Sequence, residues 1–360
     1  MTFYSGQLST RGRNLGEALS DRRNTLNFVR LVLASMVILG HAWPLTGSKL
    51  SPNLEFLSGI AVEGFFIISG YLIAASRLNS NFVSFVWKRI LRIMPAFWTV
   101  LVLTAVVFGP LAALIEGKAY NWLSGAGFVF KNFFLMMYQW GIDGTLTEVP
   151  YPNVWNGSLW TLSYEFLAYL AVGVLLSFKL VRSKMEYVVP ALFIISVLAW
   201  ALFRGPLDVS TNFYLNGARL GSYFLAGAAY FALRKYIRVS PLLLIVSIGI
   251  YALLFMFELN NFVGQLFLGY FLLAAGSYRW TSIATKNDIS YGVYIYAFPV
   301  QQFFVLFGSA SLGIALNVML TLTVTICLAW LSWTLVEKPA LRWKNLPDRF
   351  IQKQSNASTM

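Results

Sequence analysis

Charge is scarce in this sequence: Asp, Glu, Lys and Arg make up 11% of the 360 residues, against 58% hydrophobic residues. Soluble globular domains carry about a quarter charged residues, so that class is excluded. Cysteine is scarcer still. Cys327 is the one cysteine, which rules out an intrachain disulfide and a cysteine-based metal site. Histidine also occurs once, at His41, so any imidazole chemistry rests on that position. The first 25 residues are polar and basic, with no apolar stretch of the kind a cleaved signal peptide needs. The apolar runs lack the two-residue alternation of a membrane β-barrel. What remains is a chain that satisfies its backbone inside lipid as helices.

Apolar runs fall at 28–46, 56–76, 93–115, 158–178, 187–203, 217–233, 241–258, 262–278, 289–307 and 312–335. Each is long enough to cross a hydrocarbon core of ~30 Å as a helix. The expected fold is all-α, a polytopic transmembrane bundle of about ten spans. An even number of spans places both termini on one side. With that side cytoplasmic, the cytosolic segments hold 21 of the 27 Lys and Arg residues, as the positive-inside rule requires. Residues 1–27 are then a cytoplasmic N-terminal segment, 28–335 the membrane domain and 336–360 a cytoplasmic tail. The net charge of +13 is explained by these topology-setting loops, and no nucleic-acid partner is expected. The stretch 122–140 is apolar too, but a crossing there would turn Lys179, Arg182, Lys184, Arg234, Lys235 and Arg238 outward. It is read as an interfacial or re-entrant helix within an external loop, 116–157.

Ionisable side chains inside spans are costly and mark candidate sites. They are Arg30, His41, Glu63, Glu165 and, near one edge, Arg219. A lone buried histidine more often serves a helix–helix hydrogen bond than catalysis. Here two carboxylates share its level: at 1.5 Å per residue His41, Glu63 and Glu165 all lie ~10 Å below the outer edge of the core. An imidazole that takes up a proton needs such an anion to orient it. A proton-coupled carrier would use the same cluster. Arg30 precedes His41 by three helical turns, ~16 Å along the axis. At the cytosolic mouth of the third span stand Lys88, Arg89 and Arg92, with Arg89 and Arg92 on one helical face. They serve as a topology anchor or, because guanidiniums grip phosphate bidentately, as an anion clamp. Gly40, Gly64, Ser69 and Gly70 permit either close helix packing or the passage of a slender ligand.

Several blocks carry a family likeness. They are NFVRLVLASMVILGHAW with Arg30 and His41, AVEGFFIISGYLIA with Glu63, KRILRIMP with Arg89 and Arg92, and SLWTLSYEFLAY with Glu165. ISYGVYIYAFPVQQ and VEKPALRW follow near the end. In order and spacing the chain resembles the acyltransferase-3 family of membrane O-acyltransferases. Two departures are Glu63, where an Asp is usual, and Ala297, where many members have a histidine. The resemblance implies a catalytic His41 assisted by Glu165 or Glu63. It also implies an acyl-coenzyme A donor held by Arg89 and Arg92, with Arg30 near the same mouth. The expected reaction moves an acyl group, commonly acetyl from acetyl-CoA, to a hydroxyl of a surface carbohydrate or lipid-linked glycan. Succinyl transfer to the same acceptors, or a proton-coupled transporter or flippase of glycan lipids, are the competing readings. No permanently bound cofactor and no metal is expected, and the setting is a bacterial inner membrane with lipid as the surrounding partner.

Overall fold

The computed structural model describes residues 12–20, 24–284 and 287–348. Among these residues the protein is helical, apart from one isolated bridge between Asn14 and Arg238. In chain order the first helices are α1 (Leu15–Ser20), α2 (Leu26–Thr46), α3 (Phe56–Leu78), α4 (Phe82–Leu103) and α5 (Gly109–Ile115). Next come α6 (Trp122–Lys131), α7 (Trp160–Leu175), α8 (Lys179–Ser183), α9 (Met185–Arg204) and α10 (Asn212–Ala232). The last are α11 (Pro241–Met256), α12 (Gln265–Ser277), α13 (Ser290–Leu306), α14 (Ile314–Ser332) and α15 (Lys338–Ala340). Wide π turns at Thr104–Phe108, Asn260–Gly264 and Trp333–Glu337 join or extend these helices.

Every apolar run read from the sequence is helical. By length and composition five helical stretches suffice to cross a membrane: Leu26–Thr46, Phe56–Leu78, Phe82–Ile115, Met185–Arg204 and Ile314–Asp348. Trp160–Leu175 and Pro241–Met256 are apolar but shorter. Two boundaries differ from expectation. The third span was set at 93–115, yet its helix begins at Phe82, because Asn81 caps it by accepting a hydrogen bond from the Ser84 backbone N–H at 2.8 Å. Lys88, Arg89 and Arg92 therefore lie within a helix. The last span, set to end at 335, continues helically to Asp348. Within 122–140 only Trp122–Lys131 is helical, ten residues where a crossing needs about twenty.

The chain divides into two compact units. The first comprises residues 1–30, 63–79 and 171–286. Within it α10 packs on α9 and α12, and its backbone meets that of α3 directly. A Cβ at Gly70 would run into the Phe224 carbonyl, and one at Gly227 into the Ile67 carbonyl, so both glycines are spent on close helix packing. Arg77 closes the C-terminal end of α7. Its Nε donates to the Gly173 carbonyl at 2.9 Å and its Nη2 to Ser177 Oγ at 2.7 Å, where a cation also meets the negative end of the helix dipole. Residues 12–20 are not a loose polar leader. Leu15, Ala18 and Leu19 are buried, and the Leu15 N–H donates to the Ile237 carbonyl at 2.8 Å.

The second unit comprises residues 31–62, 80–170 and 287–360. Its centre is α13, in which every residue from Ser290 to Gln302 is buried. A helix apolar on one stripe covers a core, whereas one buried all round is the core. Helix α14 pairs along it, and α4, α5 and the loop 141–159 pack around it. Gly40 of α2 lets the Ser58 backbone approach so closely that a Cβ would meet the Ser58 nitrogen.

Candidate functional site

The site of the second unit is organised by one proline. Pro299 sits inside α13 and has no N–H to give the carbonyl four residues back, so the Ile295 carbonyl is left without its helical partner. Asn156 supplies one: its Nδ2 donates to the Ile295 oxygen at 2.8 Å, with Asn156 itself 1% exposed. Gln302, fully buried one turn along, donates from Nε2 to the Tyr151 carbonyl at 2.7 Å and the Val154 carbonyl at 2.8 Å. The loop 151–157 is thereby fastened to α13. It closes on Phe298: Tyr151 lies 6.0 Å from that ring, and a Cβ at Gly157 would collide with it. On Phe298 rests the imidazole of His41, ring centroids 5.2 Å apart at 71°. His41 is half-buried and reaches the Val37 carbonyl of its own helix. Gln301 ties α13 to α2 again one turn below, donating to the Ile38 carbonyl at 3.3 Å.

Further down α13 the surroundings become polar. The Tyr294 hydroxyl donates to the Ser158 carbonyl at 2.8 Å and is 2.6 Å from Thr161 Oγ1. Glu165, half-buried on α7, accepts the Tyr169 hydroxyl at 2.5 Å and acts electrostatically on both Tyr291 and Tyr294. At the foot of α13 Arg92 is held by two acids. Its Nη2 meets Asp288 Oδ2 at 2.5 Å, its Nη1 meets Glu337 Oε2 at 3.4 Å, and its guanidinium lies 5.5 Å from the Trp333 ring. Glu337, fully buried, also accepts from Ser332 Oγ at 3.2 Å; the π turn Trp333–Glu337 aims it there. Arg89, one turn before Arg92, lies with its guanidinium 5.9 Å from the Phe85 ring. From Asp288 to Phe298 is ten residues, so the imidazole and the ion cluster stand ~15 Å apart along α13.

Of the residues singled out in the sequence, His41, Glu165, Arg89 and Arg92 fall in the second unit, and Arg30 and Glu63 in the first. Glu63 is 3% exposed, and its carboxylate takes Arg219 Nη1 at 3.0 Å and the Tyr251 hydroxyl at 3.3 Å. Arg30 is half-buried on α2. Arg92 was read with Arg89 as a topology anchor or an anion clamp; two carboxylates face it, and a phosphate would compete with them. Asp288, Glu337, Asn156 and Phe298 were not singled out. Phe298 lies in ISYGVYIYAFP and Glu337 in VEKPALRW, whereas Asp288 directly precedes the first block and Asn156 lies outside both; Asp288 and Glu337 looked like loop and tail residues, and the other two carry no charge.

The acyltransferase domain of the acyltransferase-3 family matches residues 23–335. The chain belongs to that family and is an acyltransferase. It is 32% identical over 331 residues to a protein named O-acetyl transferase from Shigella phage Sf6, covering 88% of this chain and 96% of the relative. It is 26% identical over 367 residues to Nodulation protein 10 of Rhizobium leguminosarum bv. viciae, covering 91% and 95% of the two. No solved structure matches the chain.

Proposed function

We propose that the protein is an O-acetyltransferase of the bacterial inner membrane, moving an acetyl group from acetyl-CoA to a hydroxyl of a surface carbohydrate or its lipid-linked precursor. In this reading all ten apolar helices cross the membrane and both termini are cytoplasmic. The name borne by the phage relative supports acetyl as the group moved. The observation that carries the reading is the placement of His41, the sole histidine, on the fastened ring of Phe298, at the upper half of the buried helix whose lower half faces Glu165.

The chemistry follows from that placement. His41 takes the proton of the acceptor hydroxyl as its oxygen attacks the thioester carbonyl. The tetrahedral intermediate collapses, the carbon–sulfur bond breaks, and the thiolate of coenzyme A takes the proton from the imidazolium. Glu165, supported by Tyr169, balances the imidazolium charge. Arg89 and Arg92 hold the donor phosphates, Arg92 by yielding a carboxylate contact to them. The separation of ~15 Å between the ion cluster and the imidazole suits an extended pantetheine arm. Such a site accepts donor from the cytosol while the acceptor approaches His41 from the other face. Sealed vesicles carrying acetyl-CoA on the cytosolic side and glycan on the outer side test this directly. Ester on the glycan is expected. Ester formed only when both substrates share the cytosolic side would refute the through-membrane route, and none in either arrangement would refute acetyl transfer.

A further inference from the structure

The first unit contains a polar cluster that the transfer chemistry leaves unexplained. Glu63 is clamped between Arg219 at 3.0 Å and Tyr251 at 3.3 Å, and the Tyr223 hydroxyl reaches the same carboxylate. That hydroxyl also contacts the Asn260 carbonyl at 3.2 Å and Asn261 Oδ1 at 3.3 Å. Asn260 and Asn261 open a π turn, a distortion common at functional sites. The turn feeds into Gln265, which is fully buried and donates from Nε2 to the Asn261 carbonyl at 2.6 Å and to Ser222 Oγ at 3.1 Å. Ser222 in turn donates to the Arg219 carbonyl at 2.7 Å. These contacts arrange Glu63, Arg219, Ser222, Gln265, Asn261 and Tyr223 as a ring, whose last step is the approach of the Tyr223 hydroxyl to Glu63.

Two features of the ring leave polar capacity unused. Gln265 must present its amide nitrogen to the Asn261 carbonyl, so its orientation is fixed, and its Oε1 has no donor among the described residues. A buried acceptor left so costs about 1–3 kcal/mol. Arg219 gives Glu63 one of its nitrogens and its side chain remains 27% exposed. The site offers free N–H donors and a free carbonyl acceptor, while the Glu63–Arg219 pair brings its charge to zero. An anion would meet Glu63 and a cation Arg219. A hydroxyl both accepts and donates, and satisfies each of the two open groups.

We propose that this ring is a recognition subsite for a neutral, hydroxyl-bearing sugar unit of the acceptor. The inference rests on the acetyl-transfer reading for the identity of the acceptor, and on the ring alone for its chemistry. In it Glu63 acts on the acceptor through Arg219 and not on the imidazole.

The test uses the full chain in lipid nanodiscs and, as probe, surface glycan from the producing cell stripped of its esters by mild alkali. Binding is first measured without acetyl-CoA. Gln265→Met and Arg219→Gln are each expected to weaken glycan binding about tenfold, the equivalent of ~1.4 kcal/mol. In turnover the effect falls on KM for the glycan and not on KM for acetyl-CoA. The double variant Glu63→Gln/Arg219→Gln keeps the pair neutral and guards against loss through misfolding; it is expected to weaken glycan binding as well. Glycan affinity unaltered in the folded variants, or an equal rise in both KM values, overturns the subsite. No glycan binding by the unsubstituted protein overturns it too. Arg219-dependent glycan binding without any ester formed would uphold the subsite and defeat the transfer reading instead.

Discussion

Substituting Asn156 should cost a large amount of stability in one background and little in another, because Pro299 alone creates the need for it. In the native chain Asn156→Ala removes the 2.8 Å hydrogen bond to the Ile295 carbonyl. That carbonyl lies in a wholly buried helix and has no N–H at position 299 to turn to. A buried carbonyl without a donor costs about 1–3 kcal/mol, so a loss near ~2 kcal/mol is expected. Restoring an N–H with Pro299→Ala lets the helix satisfy Ile295 itself. In that background Asn156→Ala should cost under about 1 kcal/mol, the remainder reflecting the 3.2 Å bond from the Ser158 N–H to Asn156 Oδ1. The coupling between the two sites is therefore expected at ~1–2 kcal/mol. Unfolding by SDS in mixed micelles, followed by circular dichroism for the two single variants and the double, measures it. Additive costs would refute the claim that Asn156 exists to serve the carbonyl freed by Pro299.

Other outcomes follow from the same geometry. His41→Gln keeps a side chain against Phe298 but offers no base, so acetyl transfer should fall ~10²–10⁴-fold at unaltered unfolding midpoint; turnover above a tenth of normal would remove His41 from the chemistry. Arg92→Met leaves Asp288 and Glu337 facing each other without their cation and should destabilise by ~3–5 kcal/mol. Adding Asp288→Asn and Glu337→Gln should recover most of that in the same assay. Gly227→Ala drives a methyl group into the Ile67 carbonyl, an overpacking of ~1–3 kcal/mol, read as a lower unfolding midpoint.

The helices were legible because lipid imposes one rule on a crossing segment, and a run of some twenty apolar residues is hard to mistake. The start of α4 was not, since Lys88, Arg89 and Arg92 interrupt the apolar run of its first turns; Asn81 marks the start by capping, which hydropathy does not measure. His41, Glu63 and Glu165 stood out as charges or imidazole in apolar surroundings. Arg92's partners could not, because Asp288 and Glu337 are 196 and 245 residues away and gain their meaning only when α13 and α14 pack beside α4. Asn156 was still less visible. Its role depends on a missing N–H 143 positions further along, a debt that no local pattern records.

The burial of α13 on every side has a bearing on how the protein is made. A helix carrying Gln301 and Gln302 amid tyrosines gains little from contact with lipid alone, and the amide nitrogens of both glutamines find their partners on other segments of the second unit. During synthesis residues 31–62 and 80–170 emerge long before residue 290, so the hydrogen bonds they make with α13 wait for its arrival. The second unit is consequently closed only after α13, and then α14 which pairs along it, have been made. A chain cut short before Ser290 would leave the Asn156 amide and the Tyr151 and Val154 carbonyls without the α13 partners that they have in the whole protein.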